Sequence, residues 1–364
     1  MTTPITAAVL DRLDDTFRLQ SLQLRPPGSK ELLVKVVACG ICHTDIKVSQ
    51  GYGEVPLPVV LGHEGAGIVE QVGEGVSGFS TGDAVVMSFP SCGHCPQCQA
   101  SHPAYCDAGQ RLSFSCGHEL DDTPYTPASI HGYFFGQSSF ASHAIINVRN
   151  AVRVDRDLPL ETLGPLGCGF QTGAGIVLNV LQPAPGQSLA VMGAGNVGLS
   201  AIMAARIAGM SPVIALDNNA ARLALASELG ATHVIDTGRD ADPVATIQGL
   251  TAGGVNFAVD TTNIPELVTM AFSALANRGT CVHSGGGGKD LVFAGSHLLH
   301  GRTVTGVIQG DSVPGEFIPQ LLEYHRAGQF PFGCLLSFYP LAEINQAIDD
   351  MKGGRVVKPV LTMP

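Results

Sequence analysis

The stretch Gly62-His63-Glu64-Gly65-Ala66-Gly67 sets an imidazole beside a carboxylate, flanked by glycines that let the backbone pack closely. A Gly-His-Glu triplet alone is weak evidence, because a single histidine is usually a satisfied structural residue. Its weight comes from two cysteines elsewhere. Cys42, in Cys39-Gly40-Ile41-Cys42-His43-Thr44-Asp45, lies 21 residues before His63, and Cys168, in Gly167-Cys168-Gly169, lies more than a hundred after it. Two thiolates and one imidazole fill three positions of a tetrahedral zinc and leave the fourth open, the pattern of a catalytic site.

A second cluster is more compact. Cys92-Gly93-His94-Cys95-Pro96-Gln97-Cys98 is closed by Cys106, so that four thiols are spaced three, three and eight apart. This matches a closed four-cysteine zinc site, which is structural because no coordination position stays open. Disulfides or an iron–sulfur cluster are the competing readings, and the lack of a second cluster motif argues against the latter. His94 and His102 read as solvated loop residues of the same lobe.

The third signal is Gly193-Ala194-Gly195-Asn196-Val197-Gly198, between a strand-like run at 188–192 and a helix-like run ending near Gly209. Asp217 ends the next strand-like run, 22 residues after Gly195. In that context G-x-G-x-x-G is a dinucleotide fingerprint: the glycines admit the pyrophosphate, and the helix N-terminus offers N–H groups and a favourable dipole. Asp217 accepts from the adenosine ribose hydroxyls and repels a 2′-phosphate, which favours NAD over NADP.

These groups need elements to carry them. A chain of 364 residues accommodates two domains. Over the first 150 residues, short β-like runs at 31–37, 67–72 and 83–87 alternate with Gly/Pro turns, which predicts a compact antiparallel β domain. From about residue 170, strands at 188–192, 212–216, 232–235, 255–259 and 280–283 alternate with helices, including 220–229 and 265–276. That is the pattern of a parallel sheet. Amphipathic runs at 318–326 and 341–351 precede a last strand at 358–362. The glycine run 285–288 follows a strand and reads as a tight ligand-facing loop. The net charge of −11 argues against nucleic acid or an anionic membrane as partner. Charged residues are only 14% of the chain, so part of its surface is expected to be buried between subunits. Residues 189–205 approach membrane-spanning length without charge, but three early glycines suit a buried strand, turn and helix better. The N-terminus lacks a signal-peptide pattern, and the clustered cysteines suit a reducing compartment, so a cytoplasmic protein is expected.

Together these motifs resemble the zinc-dependent medium-chain alcohol dehydrogenases along the whole chain, and most of all the aryl-alcohol (benzyl-alcohol) type. The resemblance rests further on Gly164-Pro165-Leu166-Gly167-Cys168-Gly169-Phe170-Gln171-Thr172-Gly173, on Phe134-Phe135-Gly136-Gln137-Ser138-Ser139-Phe140-Ala141, and on Phe330-Pro331-Phe332 with Phe338-Tyr339-Pro340. It implies an α/β fold with a GroES-like β-rich catalytic domain (1–169 and 309–364, with a structural zinc lobe at about 91–107). It also implies a Rossmann doubly wound parallel-sheet coenzyme domain (170–308), with the active site in the cleft between them. It implies two zincs per chain, on Cys42, His63 and Cys168 and on Cys92, Cys95, Cys98 and Cys106.

By the same resemblance Glu64 is a carboxylate behind the catalytic zinc, Asp45 orients His63, and Thr44 hydrogen-bonds the alcohol. The cofactor is expected at His43, Thr172, Gly193, Gly195, Asn196, Val197, Gly198, Asp217, Arg222, Ser284, Val307 and Lys358. The reaction implied is hydride transfer from an alcohol, acidified by zinc, to NAD. Its proton leaves through Thr44 and the nicotinamide ribose. Liver-type members end this relay with a histidine three positions after the hydroxyl residue. Here Lys47 stands there, and it either substitutes, leaves the proton to water, or faces solvent. Phe89, Phe134, Phe135 and Ile308 are expected to line a pocket for aromatic or allylic primary alcohols such as benzyl alcohol or geraniol. Competing readings are a medium-chain aliphatic alcohol dehydrogenase, a thiol-dependent formaldehyde dehydrogenase, and a non-catalytic nucleotide-binding protein on the same fold. A homo-oligomer is expected. The other cysteines, Cys39, Cys116, Cys281 and Cys334, are expected to pack as small buried hydrophobes.

Overall fold

The computed structural model describes residues 2–116, 123–285 and 290–364. Of the 285–288 glycine run only Gly285 falls within them; Gly286, Gly287 and Gly288 lie outside the described residues. Two compact units divide the chain, Met1–Cys168 with Val313–Gln320 and Gly333–Pro364, and Gly169–Ser312 with Leu321–Phe332.

Among the described residues the first unit holds two sheets. In the larger, strands run in the order Leu336–Pro340, Lys358–Thr362, Glu31–Gly40, Gly65–Val72, Ala84–Met87 and Ala151–Val154, and His143–Asn147 also pairs with Glu31–Gly40. All of its pairings are antiparallel except that of the two C-terminal strands, which run parallel. The smaller sheet orders Val59–Val60, Thr3–Leu10, Arg18–Leu24 and Tyr125–Thr126. Val34, Val36, Val69, Val85, Ala144 and Ile146 form one apolar face of the larger sheet, as the period-two alternation of these strands requires. Gly67 sits where any Cβ would come within 2.2 Å of the Lys35 carbonyl, so the Glu31–Gly40 and Gly65–Val72 strands approach closely at that glycine.

The second unit is built on a six-stranded, all-parallel sheet. Its order is His233–Asp236, Val213–Asp217, Leu189–Met192, Val255–Asp260, Leu275–His283, Thr303–Gly306. Strand order reverses between Leu189–Met192 and Val255–Asp260, which is the topological switch point of a doubly wound sheet. Helices Asn196–Ile207, Ala220–Leu229, Pro243–Leu250 and Pro265–Ser273 connect the strands. Asn219 caps Ala220–Leu229 by accepting from the amides of Ala221 and Arg222.

Two of the boundaries that differ from the sequence reading have a packing reason. The 265–276 helix stops at Ser273, because Leu275 is fully buried and opens a strand opposite Val255. Leu321–Phe332 groups with the second unit rather than with the 309–364 segment expected of the first. Phe332 explains this, since its ring lies 5.3 Å from that of Phe170 and 4.3 Å from that of His325. Among the described residues no helix is long and apolar enough to cross a membrane.

Candidate metal centres and cofactor site

The first unit brings Cys42, His63, Glu64 and Cys168 together, with one ligand atom of each within 4.8 Å of the others. Cys42 is the N-cap of helix His43–Ser49, and Cys168 follows the turn Gly164–Gly167. His63 and Glu64 sit in the turn before strand Gly65–Val72. Asp45, fully buried, organises the group. Its carboxylate accepts from the Cys42 amide at 2.9 Å, the Gly62 amide at 3.2 Å and His63 Nδ1 at 2.9 Å. With Nδ1 donating to Asp45, His63 Nε2 carries the lone pair, and it is buried without a hydrogen-bond partner. An orphaned imidazole nitrogen facing two thiols is the donor set of a zinc site. The chemistry of the site therefore fits the metal.

Burial and mutual contact shift all three groups. The hydrogen bond from Cys168 draws the Cys42 thiol well below its ordinary pKa, and sharing that bond pushes Cys168 well above. Burial opposes charge on His63, but the Asp45 carboxylate outweighs it and raises the ring. Thr44 is half-buried, with its hydroxyl oxygen 3.7 Å from Cys42 Sγ, and His43 is exposed on the same helix. Lys47 is half-buried there.

Lys358 is corrected by the structure. Expected near the cofactor phosphates, it is instead 0% exposed and donates to both Glu64 oxygens, at 2.9 and 2.8 Å, and to the Ile41 carbonyl at 3.0 Å. Burial raises the Glu64 carboxyl to about 7. Burial would lower Lys358, but the charge of Glu64 outweighs it and holds the ammonium above its ordinary value. Gly40 makes room for this pair: a Cβ there would lie 2.1 Å from Glu64 Oε2.

The aromatic residues divide by burial. Phe134 is fully buried and belongs to the core, edge-on to His63 at 5.6 Å. Its place as a pocket wall is therefore not kept. Phe135 is partly open and stacks on the His63 ring at 4.5 Å, with Phe114 edge-on behind it at 5.3 Å. Phe89 is buried, and Ile308, in the second unit, is 55% exposed. Gln137 went unnoticed in the sequence. Its buried amide donates to the His63 carbonyl at 2.9 Å and accepts from the Gly65 amide at 3.2 Å, bracing the ligand turn. A polar residue inside an aromatic run was the only signal for it.

Cys92, Cys95, Cys98 and Cys106 also converge. Cys92 and Cys98 Sγ are 4.0 Å apart, and Cys95 and Cys106 Sγ 3.9 Å. A tetrahedron with Zn–S bonds of about 2.3 Å has edges of about 3.8 Å, so the thiols are spaced for one zinc and too far apart for disulfides. All ten cysteines are free thiols. The Cys98 amide pulls Cys95 down to about 6, towards the thiolate a metal needs. Cys39, Cys116 and Cys281 are buried as expected, but Cys334 is exposed. His94 is exposed in the same lobe.

In the second unit the glycine loop joins strand Leu189–Met192 to helix Asn196–Ile207. Gly193 has φ +94°, and a Cβ on Gly198 would lie 1.9 Å from the Gly193 carbonyl oxygen. Gly195, the N-cap, faces open space, so a ligand can meet its backbone directly. Asn196 Nδ2 is buried without a partner at the first turn of this helix. An open cradle and an orphaned donor fit a diphosphate. Val197 is half-buried, and its carbonyl fills the space where Gly173 lacks a side chain, beside half-buried Thr172. Asp217 folds back on the loop, accepting from the amides of Ala194 at 2.8 Å and Asn219 at 2.9 Å. Arg222 makes no ion pair among the described residues, and its Nε is buried without a partner. Ser284 and Val307 follow adjacent strand ends, their amides bonded to Asp260 O at 3.0 Å and His283 O at 3.1 Å.

Comparison with known proteins agrees with this geometry. A model of the alcohol dehydrogenase GroES-like domain matches residues 28–156, and one of the zinc-binding dehydrogenase domain matches residues 196–324. A geraniol dehydrogenase from Castellaniella defragrans is 43% identical over 98% of this chain and 96% of its own length. The crystal structure of a benzyl alcohol dehydrogenase from Acinetobacter calcoaceticus superposes with a TM-score of 0.97 at 44% identity, covering 100% of both chains. That of an alcohol dehydrogenase zinc-binding domain protein from Burkholderia ambifaria gives 0.98 at 46% identity, again over 100% of both chains.

Proposed function

The chain belongs to the zinc-dependent medium-chain alcohol dehydrogenases, and we propose that within them it interconverts aromatic or allylic primary alcohols and their aldehydes with NAD. The observation that carries the substrate class is the stacking of Phe135 on His63, which sets a flat aromatic wall directly against a metal ligand. Such a wall favours a planar, unsaturated carbon next to the reacting alcohol. The names of two relatives, a benzyl alcohol and a geraniol dehydrogenase, support the same class.

Cys42, His63 and Cys168 hold one zinc, and Cys92, Cys95, Cys98 and Cys106 a second. Zinc at the first set supplies Lewis acidity to the alcohol oxygen, and NAD supplies the hydride acceptor. Asp45 fixes the His63 tautomer and keeps its Nε2 lone pair available. Thr44 accepts the alcohol proton and passes it outward. Glu64, neutralised by Lys358, lies behind the ligands without adding net charge. In the second unit the Gly193–Gly198 loop receives the diphosphate, and Asp217 accepts from the adenosine ribose hydroxyls and repels a 2′-phosphate. Free thiols suit a reducing compartment, and we place the chain in the cytoplasm as a homo-oligomer.

The test is the initial rate of NADH formation with benzyl alcohol, geraniol and ethanol, repeated with NADP. A kcat/KM for benzyl alcohol or geraniol far above that for ethanol, with NADP poor, is expected. Equal values for ethanol would reduce Phe135 to core packing, and equal use of NADP would remove the role of Asp217.

A further inference from the structure

A second carboxylate–histidine pair stands at the carboxyl edge of the coenzyme sheet. Met192, Asp260, His283 and Gly306 lie in register at the ends of four adjacent strands. Asp260 is fully buried and flanks the switch point, where nucleotides bind in open α/β sheets. One of its oxygens accepts from the Thr262 amide at 3.1 Å and hydroxyl at 2.6 Å. The other accepts from the Asn263 amide at 3.2 Å and from His283 Nδ1 at 2.9 Å. The turn supplies three of the four hydrogen bonds this carboxylate accepts, and His283 supplies the fourth. The carboxylate fixes the histidine. With Nδ1 committed as donor, Nε2 is the free acceptor of a ring 16% exposed, and it has no partner among the described residues. The described residues group no further metal ligands around it.

Its surroundings say what it faces. The Thr261 hydroxyl donates to the carbonyls of Met192 at 3.0 Å and Gly193 at 3.2 Å, tying this edge to the glycine loop. Asp217 ends the strand on the other side of Leu189–Met192. A dinucleotide whose adenosine ribose meets Asp217 and whose diphosphate crosses Gly195 must run its second nucleotide towards the strands beyond the switch point. We infer that His283 is a cofactor-binding residue whose Nε2 accepts a hydrogen bond from a hydroxyl of that second ribose, with Asp260 as the positioning residue behind it. This rests on the dinucleotide reading above.

The test uses the full chain and three ligands, ADP, ADP-ribose and NADH, followed by calorimetry or NADH fluorescence. ADP lacks the second ribose and ADP-ribose carries it. His283→Leu is expected to weaken ADP-ribose and NADH about fivefold, the worth of one hydrogen bond near 1 kcal/mol, and to leave ADP within twofold. His283→Gln, whose amide reaches a similar position, is expected to recover part of the loss. Equal weakening of all three ligands by both variants would make the pair structural and overturn the inference, as would unchanged ADP-ribose affinity. Failure of the unaltered chain to bind ADP-ribose or NADH would instead overturn the dinucleotide reading itself, and the inference with it.

Discussion

Replacing Asp45 by asparagine keeps the side-chain volume and removes the charge that holds His63. The carboxylate accepts three hydrogen bonds, from Cys42 N, Gly62 N and His63 Nδ1. An amide offers one acceptor oxygen. If that oxygen stays towards Gly62 and His63, the NH2 meets the Cys42 amide, donor against donor. If the amide is reversed, its NH2 meets Nδ1 and forces the proton to Nε2, which removes the lone pair a metal needs. Either way at least one hydrogen bond to a charged group is lost, worth about 1.5–3 kcal/mol. Loss of such outer partners typically costs about 10–100-fold in metal affinity, which is about 1.4–2.8 kcal/mol, so the two figures agree. The assay is zinc content by elemental analysis across a titration with a competing chelator, with circular dichroism to confirm folding. The four-cysteine cluster does not involve Asp45 and serves as an internal control. The expected result is one zinc lost at 10–100-fold lower chelator strength, with the second unmoved. A folded Asp45→Asn protein that holds both zincs at the wild-type midpoints would refute the reasoning.

Other perturbations separate roles in the same way. Lys358→Met removes the buried ammonium that pairs with Glu64 and is expected to cost about 3–5 kcal/mol in denaturant unfolding; adding Glu64→Leu should restore most of it, and an unchanged midpoint for the single variant would contradict the pairing. Gly195→Ala is expected to leave the melting temperature of the ligand-free protein unchanged, because its Cβ enters open space, yet to weaken NADH at least tenfold in fluorescence titration. Gly198→Ala, driven into the Gly193 carbonyl, should instead lower the melting temperature. Phe135→Ala is expected to lower kcat/KM for benzyl alcohol about 3–10-fold more than for ethanol, from the aromatic contact alone. Cys98→Ser should reduce the zinc content from two to one per chain and lower the melting temperature, with the remaining zinc at Cys42, His63 and Cys168.

What could be read without coordinates is the chemistry that local spacing encodes. Spacings of three, three and eight along the chain already limit Cys92, Cys95, Cys98 and Cys106 to one small lobe. A strand, three spaced glycines and a helix start mark a loop that turns left-handed at Gly193 and packs closely at Gly198, so the 193–198 loop and the parallel sheet around it were legible. The assignment of Cys42, His63 and Cys168 to one site came from their residue types and the family resemblance. Folding then selected which side chains those backbones bring together. Lys358 reads as an exposed base until strand Lys358–Thr362 pairs with Glu31–Gly40 and lays the ammonium on Glu64, 294 residues away in the chain. Phe134 and Phe135 are identical in type and adjacent, yet in a turn with φ 49° at Phe135 one ring is fully buried edge-on to His63 while the other, partly open, stacks on it. Asp260 and His283 meet because parallel strands set them in register, through a pairing that no motif between them announces. Sequence periodicity records how each segment meets its own neighbours, whereas partners across the chain are fixed by strand pairing, which exists only once the sheets have formed.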